Sequence, residues 1–535
     1  MRKFFSLGLV SLAVLAGCSS GGGGDGAATS GESGTPAELR LAIAGESEDG
    51  YDPTLGWGRY GSPLFQSTLL RRDADLKVVN DLATAHKVSP DGLLWTVDIR
   101  TDASFTDGTP VTAEDVAYTF TKASESGGLT DVTVLDTAKA VDTDTVELKL
   151  KKPQSTFVNR LVTLGIVPKH AHNEGYARNP IGSGPYKLLR WDEGQQLVVE
   201  ANTAYYGQKP AFGRIVFLFT EEDASLALAN AGDIHIAAVA QSLATTQIPG
   251  MKLVSVDSVD NRGMMLPAAP AEGKTTDKGY PIGNAVTSTL AIRQAVNVAV
   301  DRNALVAGVL DGHGSPAIGP VDGLPWFEED SAVVDNDLEK ARKILADGGW
   351  ADTDGDGIVE LNGQAARFTL LYPATDTTRQ GLAVSAGDMI RKSGVDVNVE
   401  GKSWDEIETR MHTDAVLFGW GSHDQTEMYN LYHSSFAGKE FFNTGYYRSQ
   451  PVDGYLDLAM GATDSAEANV FWKAAQFDNK GAGFTARADA AWAWLVNLDH
   501  TYYVSDCLDV GKTQVEPHGH GYPITAGITS WTWSC

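Results

Sequence analysis

Between Trp95 and Phe120 the hydrophobic period of the chain switches from the two-residue repeat of a strand to the 3.6-residue repeat of a helix. That switch restricts the fold more than any other feature. Trp95-Thr-Val-Asp-Ile-Arg100 alternates apolar and polar residues, the pattern of a half-buried strand. Phe105-Thr-Asp-Gly-Thr-Pro110 stops it, because Asp107-Gly108 tolerates positive φ and Pro110 fixes the exit. Thr112 then stands at a helix N-cap, Val111 and Val116 sit at staple positions, and Val116, Ala117 and Phe120 share one helical face. A strand feeding an amphipathic helix needs layers in which both can bury an apolar side.

The same alternation runs on. Residues 39–43, 146–150 and 215–219 read as strands, Gly182-Ser-Gly-Pro-Tyr-Lys-Leu188 opens a hairpin through Gly194, and Ala415-Val-Leu-Phe418 is strand-like. A helix is predicted from about 290 to 310, with Ile292, Ala295, Val296, Ala299, Val306 and Leu310 at helical spacing. Asn336 and Glu339 form a capping-box-like pair before Leu338, Ala341 and Leu345, and Gly348-Gly349 ends that helix. The 535 residues correspond to two to four domains, in an α/β or α+β arrangement with mixed sheets and no repeat.

The N-terminus reads as an address. Arg2 and Lys3 precede a mostly apolar run over 4–16, too short to span a bilayer. Leu15-Ala16-Gly17-Cys18 resembles a bacterial lipobox, with Cys18 as the lipidated residue, and the Ser/Gly-rich stretch 19–37 behaves as a flexible tether reaching roughly 25 Å. No later segment has 18 consecutive apolar residues, so the body is expected outside the cytoplasm, held to the cell membrane by its lipid. Cys507 and Cys535 are the thiols left after processing. In an oxidising compartment they are expected to pair, since two cysteines without a C-x-x-C partner make half a structural zinc site.

Charge narrows the partners. With 69 acidic against 42 basic residues the net charge is -27, which repels a phosphate backbone, so nucleic acid is excluded. Enzyme signatures are missing: no G-x-S-x-G, no H-E-x-x-H, and the Gly-Lys-Ser/Thr triplets at Gly273, Gly401 and Gly511 lack the upstream Gly of a phosphate loop. Asp352-Thr-Asp354-Gly-Asp356-Gly357 spaces carboxylates as a calcium loop does, but Gly363 occupies the twelfth position, so a solvated turn is the reading. His412, His423, His433, His500, His518 and His520 crowd the last quarter and keep a transition-metal alternative open. Trp404, Trp420, Tyr429, Tyr432, Tyr446 and Tyr447 lie among Asp405, His423, Asp424 and Glu427, the mixture a small-molecule cleft requires. Asp424, just beyond a small-residue turn in Gly419-Trp-Gly-Ser-His-Asp424, is the expected ammonium acceptor.

Several segments taken in order resemble the extracytoplasmic solute-binding proteins of peptide/nickel-type ABC importers, solute-binding protein family 5. Phe105-Thr-Asp-Gly-Thr-Pro-Val-Thr-Ala-Glu-Asp-Val-Ala-Tyr-Thr-Phe120 is similar throughout to that family's signature, and Tyr51-Asp-Pro53, Ile166-Val-Pro-Lys-His170, Gly182-Ser-Gly-Pro-Tyr186, Ile292-Arg-Gln-Ala-Val-Asn-Val-Ala-Val-Asp-Arg302 and Leu338-Glu-Lys-Ala-Arg-Lys-Ile-Leu345 agree. The resemblance implies a two-lobed α/β periplasmic-binding-protein-like fold (class II, three-domain form) with mixed sheets and a hinge. Domain I would comprise 38–57, 182–261 and 490–535, domain II 58–181 and domain III 262–489. It further implies a non-enzymatic monomer without cofactor or resident metal, capturing an oligopeptide between its lobes for an ABC permease. The expected ligand-binding residues are Asp424, which matches the family's ammonium-binding Asp, with His423, Trp420, Trp404, Tyr429 and Tyr446. His423 beside it and Gln425, where Pro is frequent, depart from the peptide-type pattern. The alternatives are a nickel or metal-chelate binder using His423 with His433, His518 or His520, and, from another class, an extracytoplasmic hydrolase.

Overall fold

The computed structural model describes residues 35–535 apart from Ala44, Glu48, Ser62, Leu129 and His520. The export signal, Cys18 and most of the tether lie outside the described residues. Among the described residues no helix is long and apolar enough to cross a membrane.

Three large sheets organise the body. A seven-stranded sheet runs Met251–Val256, His500–Ser505, Ile236–Val239, Leu39–Ile43, Arg214–Phe219, Gln196–Ala201, Tyr186–Asp192. Leu39–Ile43 is central and parallel to both neighbours, with Leu39 opposite Ile215 and Leu41 opposite Ile236. A strand covered on both faces is apolar throughout, and Leu39, Leu41 and Ala42 are fully buried. A six-stranded sheet runs Gly314–Pro316, Trp492–Leu498, Asn261–Met265, Ala415–Trp420, Arg367–Pro373, Asp396–Lys402. All seven residues of Trp492–Leu498 are buried, so this strand shows no alternation. The third, an antiparallel four-stranded sheet, runs Ala83–Val88, Leu94–Ile99, Thr145–Leu150, Leu135–Ala140, under the helix Ala113–Ser126. Here the expected strand, turn and helix stand as read: Thr112 and Asp115 form a capping box, and Val116 and Phe120 are fully buried.

Two expectations are corrected. The helix expected over 290–310 is two helices, Leu290–Ala299 and Arg302–Val309, because Val300 is extended and the Asp301 side chain caps the second, accepting from the Ala304 amide at 2.9 Å. The helix Leu338–Asp347 is capped by Asp337, which accepts from the Lys340 amide at 2.9 Å; Asn336, at φ 53°, turns its amide to Asp301 instead.

The chain crosses twice between the seven- and six-stranded sheets, from Val256 to Asn261 and from Leu498 to His500. Trp492–Leu498 therefore belongs with the six-stranded sheet. The crossings are tied to each other by Leu498 N donating to Asp260 O at 2.8 Å, and by side chains. The Asp260 carboxylate pairs with Arg262, with His500 Nε2 at 3.2 Å and with His518 Nδ1 at 2.5 Å. Glu516 takes His500 Nδ1 at 2.6 Å and the Tyr502 hydroxyl at 2.7 Å. Burial alone would lower the His500 pKa, but hydrogen bonds to Asp260 and Glu516 carry it up to about 9.

The C-terminal tail returns to the seven-stranded sheet. Cys507 and Cys535 are joined by a disulfide, next to the short pairing of Leu508 with Trp533.

Two outcomes follow. Replacing both Cys507 and Cys535 by Ser removes a 28-residue closure and should cost about 3.5 kcal/mol, read as a lower urea midpoint. A histidine whose folded pKa is raised contributes stability that is complete below its unfolded value of 6.5 and is lost as pH rises through about 9. Melting curves should therefore fall over that interval in the native chain and fall less in His500→Gln.

Candidate functional site

The crossings form the floor of a cleft between the two larger sheets. One part, about 480 Å³, is lined by Asp260, Arg262, Thr375 to Arg379, His500, His518 and Tyr522; an adjoining part of about 220 Å³ is lined by Trp57, Arg59, Tyr60, Gln514 and Glu516. Gly519, Gly521, Tyr522 and Pro523 border both parts.

The most constrained feature of its wall is a pair of guanidinium groups. Arg262 extends from the strand Asn261–Met265 and Arg379 from the first turn of the helix Thr377–Arg391, and both lie over Gly419. A Cβ at 419 would stand 2.5 Å from Arg262 Nη1 and 2.7 Å from Arg379 Nη2, so any larger residue there would push the two guanidinium groups aside. Burial, reinforced by the neighbouring Arg262 charge, pushes the Arg379 pKa down to about 10, while Asp376 at 2.6 Å opposes the shift. The Nε atoms of both arginines are buried and unpaired, as is Trp420 Nε1, whose ring stacks on Phe442 at 5.1 Å. Buried polar atoms are nearly always hydrogen-bonded, so two unpaired guanidinium Nε donors in one cleft lining mark a place prepared for something else. Trp404, 42% exposed, stands beside them: its ring is 5.9 Å from the Arg379 guanidinium and meets Phe441 edge-on at 5.8 Å.

Asp424 has other employment than the expected one. Its Oδ2 is 2.8 Å from Arg160 Nη2, and its Oδ1 accepts from Asn159 Nδ2 at 2.9 Å and from the Thr426 amide at 2.9 Å. Arg160 and Asn159 belong to the helix Val158–Thr163 of the lobe with the four-stranded sheet, so Asp424 fastens that lobe to the body carrying the six-stranded sheet. Around it, Arg72 donates to the His423 carbonyl at 3.0 Å, Thr426 meets Thr156 at 2.9 Å, and Ser155 donates to the Ala459 carbonyl at 2.8 Å. A ligand ammonium could reach Asp424 only by displacing a guanidinium. One turn on stands Glu427, named in the sequence among the polar residues of this region but not singled out there as a binding residue. Burial and the adjacent Asp424 push its pKa up to about 8, and among the described residues it has no ion-pair partner within 4 Å.

The remaining expected residues separate. His423 is buried, and burial with the Arg72 charge pushes its pKa down to about 3. Tyr429 stacks on His433 at 4.5 Å and donates to Asp457 at 2.9 Å. Tyr446 sits edge-on to His412 at 5.5 Å and lines a different hollow, with Arg293 and Asp489. Neither joins the cleft lining. Asp352, Asp354, Asp356 and Glu360 do converge, exposed, but the three aspartates accept amides of their own turn and Asp356 pairs with Arg367. Among the described residues no histidine joins a group of three metal-ligating side chains whose ligand atoms all lie within 4.8 Å of one another.

Known proteins are similar to this chain in sequence and in fold. Protein XP55 of Streptomyces lividans is 36% identical over 521 residues, covering 94% of this chain and 91% of that protein. The oligopeptide-binding protein AppA of Bacillus subtilis is 28% identical over 75% of this chain and 76% of its own. NikZ from Campylobacter jejuni, solved in complex with Ni(L-His), superposes with a TM-score of 0.79 at 24% identity, covering 93% of this chain and 99% of that one. Residues 77–442 match the description "Bacterial extracellular solute-binding proteins, family 5 Middle". The chain belongs to the family 5 bacterial extracellular solute-binding proteins, which bind a solute rather than transform it.

Proposed function

We propose that the chain is the substrate-binding lipoprotein of an ABC importer, tethered through Cys18, which captures an oligopeptide between its lobes and delivers it to a membrane permease. One observation carries this reading: the buried, unpaired Nε donors of Arg262 and Arg379, both in the cleft lining. Leaving such groups unpaired costs about 1 to 3 kcal/mol each, and a guest that accepts from them recovers that cost. The arginine pair suits a carboxylate, which an oligopeptide carries at its C-terminus. The name of AppA supports the peptide class. In this reading the first domain is discontinuous (38–57, 182–261 and 490–535), the second is 58–181 and the third 262–489.

A metal chelate is the second reading, favoured by His518 in the cleft lining, by carboxylates that a chelating amino acid would offer the same arginines, and by the Ni(L-His) complex of NikZ. Native mass spectrometry of the purified chain separates the two: a peptide mass supports the first, a stoichiometric transition metal the second.

Arg379→Gln should weaken the co-purifying ligand by about 2 to 5 kcal/mol, at least tenfold by calorimetry; unchanged affinity would remove the arginine pair from the site. Asp424→Asn and Arg160→Met should each weaken binding about tenfold by loosening closure, and the double variant should be no worse than either alone. Had Asp424 served the ligand ammonium directly, Arg160→Met would free its carboxylate and tighten binding instead.

A further inference from the structure

Beyond the segment carrying Gln514, which borders the cleft as well, lies a larger cavity of about 900 Å³. Arg72 and Lys77 line it from the lobe with the four-stranded sheet, Trp326, His423 and Trp472 from the body, and Lys512 from the C-terminal segment. We propose that this cavity is a second binding site, for a small aromatic carboxylate, and that its occupancy favours the closed form.

Three observations carry the assignment. Trp326 and His423 are 8% and 7% exposed, yet Trp326 Nε1 and His423 Nε2 have no hydrogen-bond partner, and both residues line this one cavity. Native folds leave few buried polar atoms unpaired, and two on one cavity point to an occupant that pairs with them. Charge gives its sign. In a chain of net charge -27 the lining carries Arg72, Lys77 and Lys512 against Asp75 and Asp257, and Lys512 takes Asp75 at 2.5 Å. Arg72 uses Nη2 for Asn159 and the His423 carbonyl, while its Nε and Nη1 have no protein partner among the described residues. Nε and Nη1 lie on opposite edges of the guanidinium, so a carboxylate would take one charge-assisted hydrogen bond from Arg72 rather than a forked pair. The lining indoles of Trp326 and Trp472 give the rest of the guest an aromatic surface, and the volume lies within the range of small-molecule sites. Because the walls come from both lobes, a ligand here binds the closed form better than the open one and by linkage strengthens capture in the cleft.

Isothermal titration with benzoate, and with benzamide as its neutral counterpart, tests the site. One equivalent of benzoate should bind saturably and benzamide about tenfold more weakly or worse. Trp326→Phe, which keeps a ring but removes the N–H, Arg72→Gln and Lys77→Gln should each weaken benzoate several-fold; Lys77 is exposed, so its replacement does not endanger folding. The proposal is overturned by absence of saturable benzoate binding, by equal binding of benzamide, or by indifference to both Arg72→Gln and Lys77→Gln. Loss of benzoate binding in Arg379→Gln with full binding in Arg72→Gln would place the probe in the cleft and overturn it as well.

Discussion

The carboxylate of Asp260 holds together parts of the chain that are far apart in sequence. It sits in the first crossing, takes Arg262 from the strand that follows, His500 from the second crossing and His518 from the C-terminal segment. Burial by itself would raise its pKa, yet the Arg262 and His518 charges with hydrogen bonds from His500 and His518 hold it well below the usual carboxylate range. A buried charge is tolerable only with this degree of pairing. The cleft geometry descends from that knot. Arg262 is aimed over Gly419 by it, and His518, anchored through its ring, donates its amide to the Gly421 carbonyl at 2.8 Å and so sets the height of the C-terminal segment above the cleft floor.

A hinge held by polar contacts suits a receptor that has to reopen. The contact between the smallest lobe and the body uses a carboxylate, two guanidiniums, an amide and paired hydroxyls, and each of these recovers hydrogen bonds from water when the lobes part. An apolar seam of the same extent would favour the closed form whether or not a guest was present. Any ligand that binds one form better than the other shifts the balance between them by that difference in affinity.

Local chemistry was legible in the sequence; convergence was not. The segment 95–120 reads correctly because its signals are all within a few residues: alternation, a Gly-Pro turn, a Thr cap and an apolar stripe. The family is legible for the same reason, since its motifs are contiguous. The helix expected over 290–310 fails at Asp301, a capping residue whose preference for helix starts outweighs the periodicity running through it. Asp424 was rightly placed beyond the strand Ala415–Trp420, but its partner Arg160 lies 264 positions upstream, and nothing local signals that pairing. Arg262 and Arg379 share no motif, and Gly419 shows its meaning only when both guanidiniums are seen above it. Tyr429 and Tyr446 had the composition of cleft aromatics, yet helix and turn geometry points them elsewhere.

The two carboxyls of the segment after Trp420 illustrate how position in a fold divides labour between similar groups. Asp424 lies where another lobe presents a guanidinium and an amide, so its charge is spent on closure. Glu427, one helical turn further, has the negative field of Asp424 beside it, and burial and that field hold its proton to about pH 8. A carboxyl neutral at neutral pH donates a hydrogen bond, and it becomes an anion again when a cation enters its surroundings. The charge of Asp424 is thus committed to the contact between lobes, while Glu427, beside it, keeps its proton to higher pH.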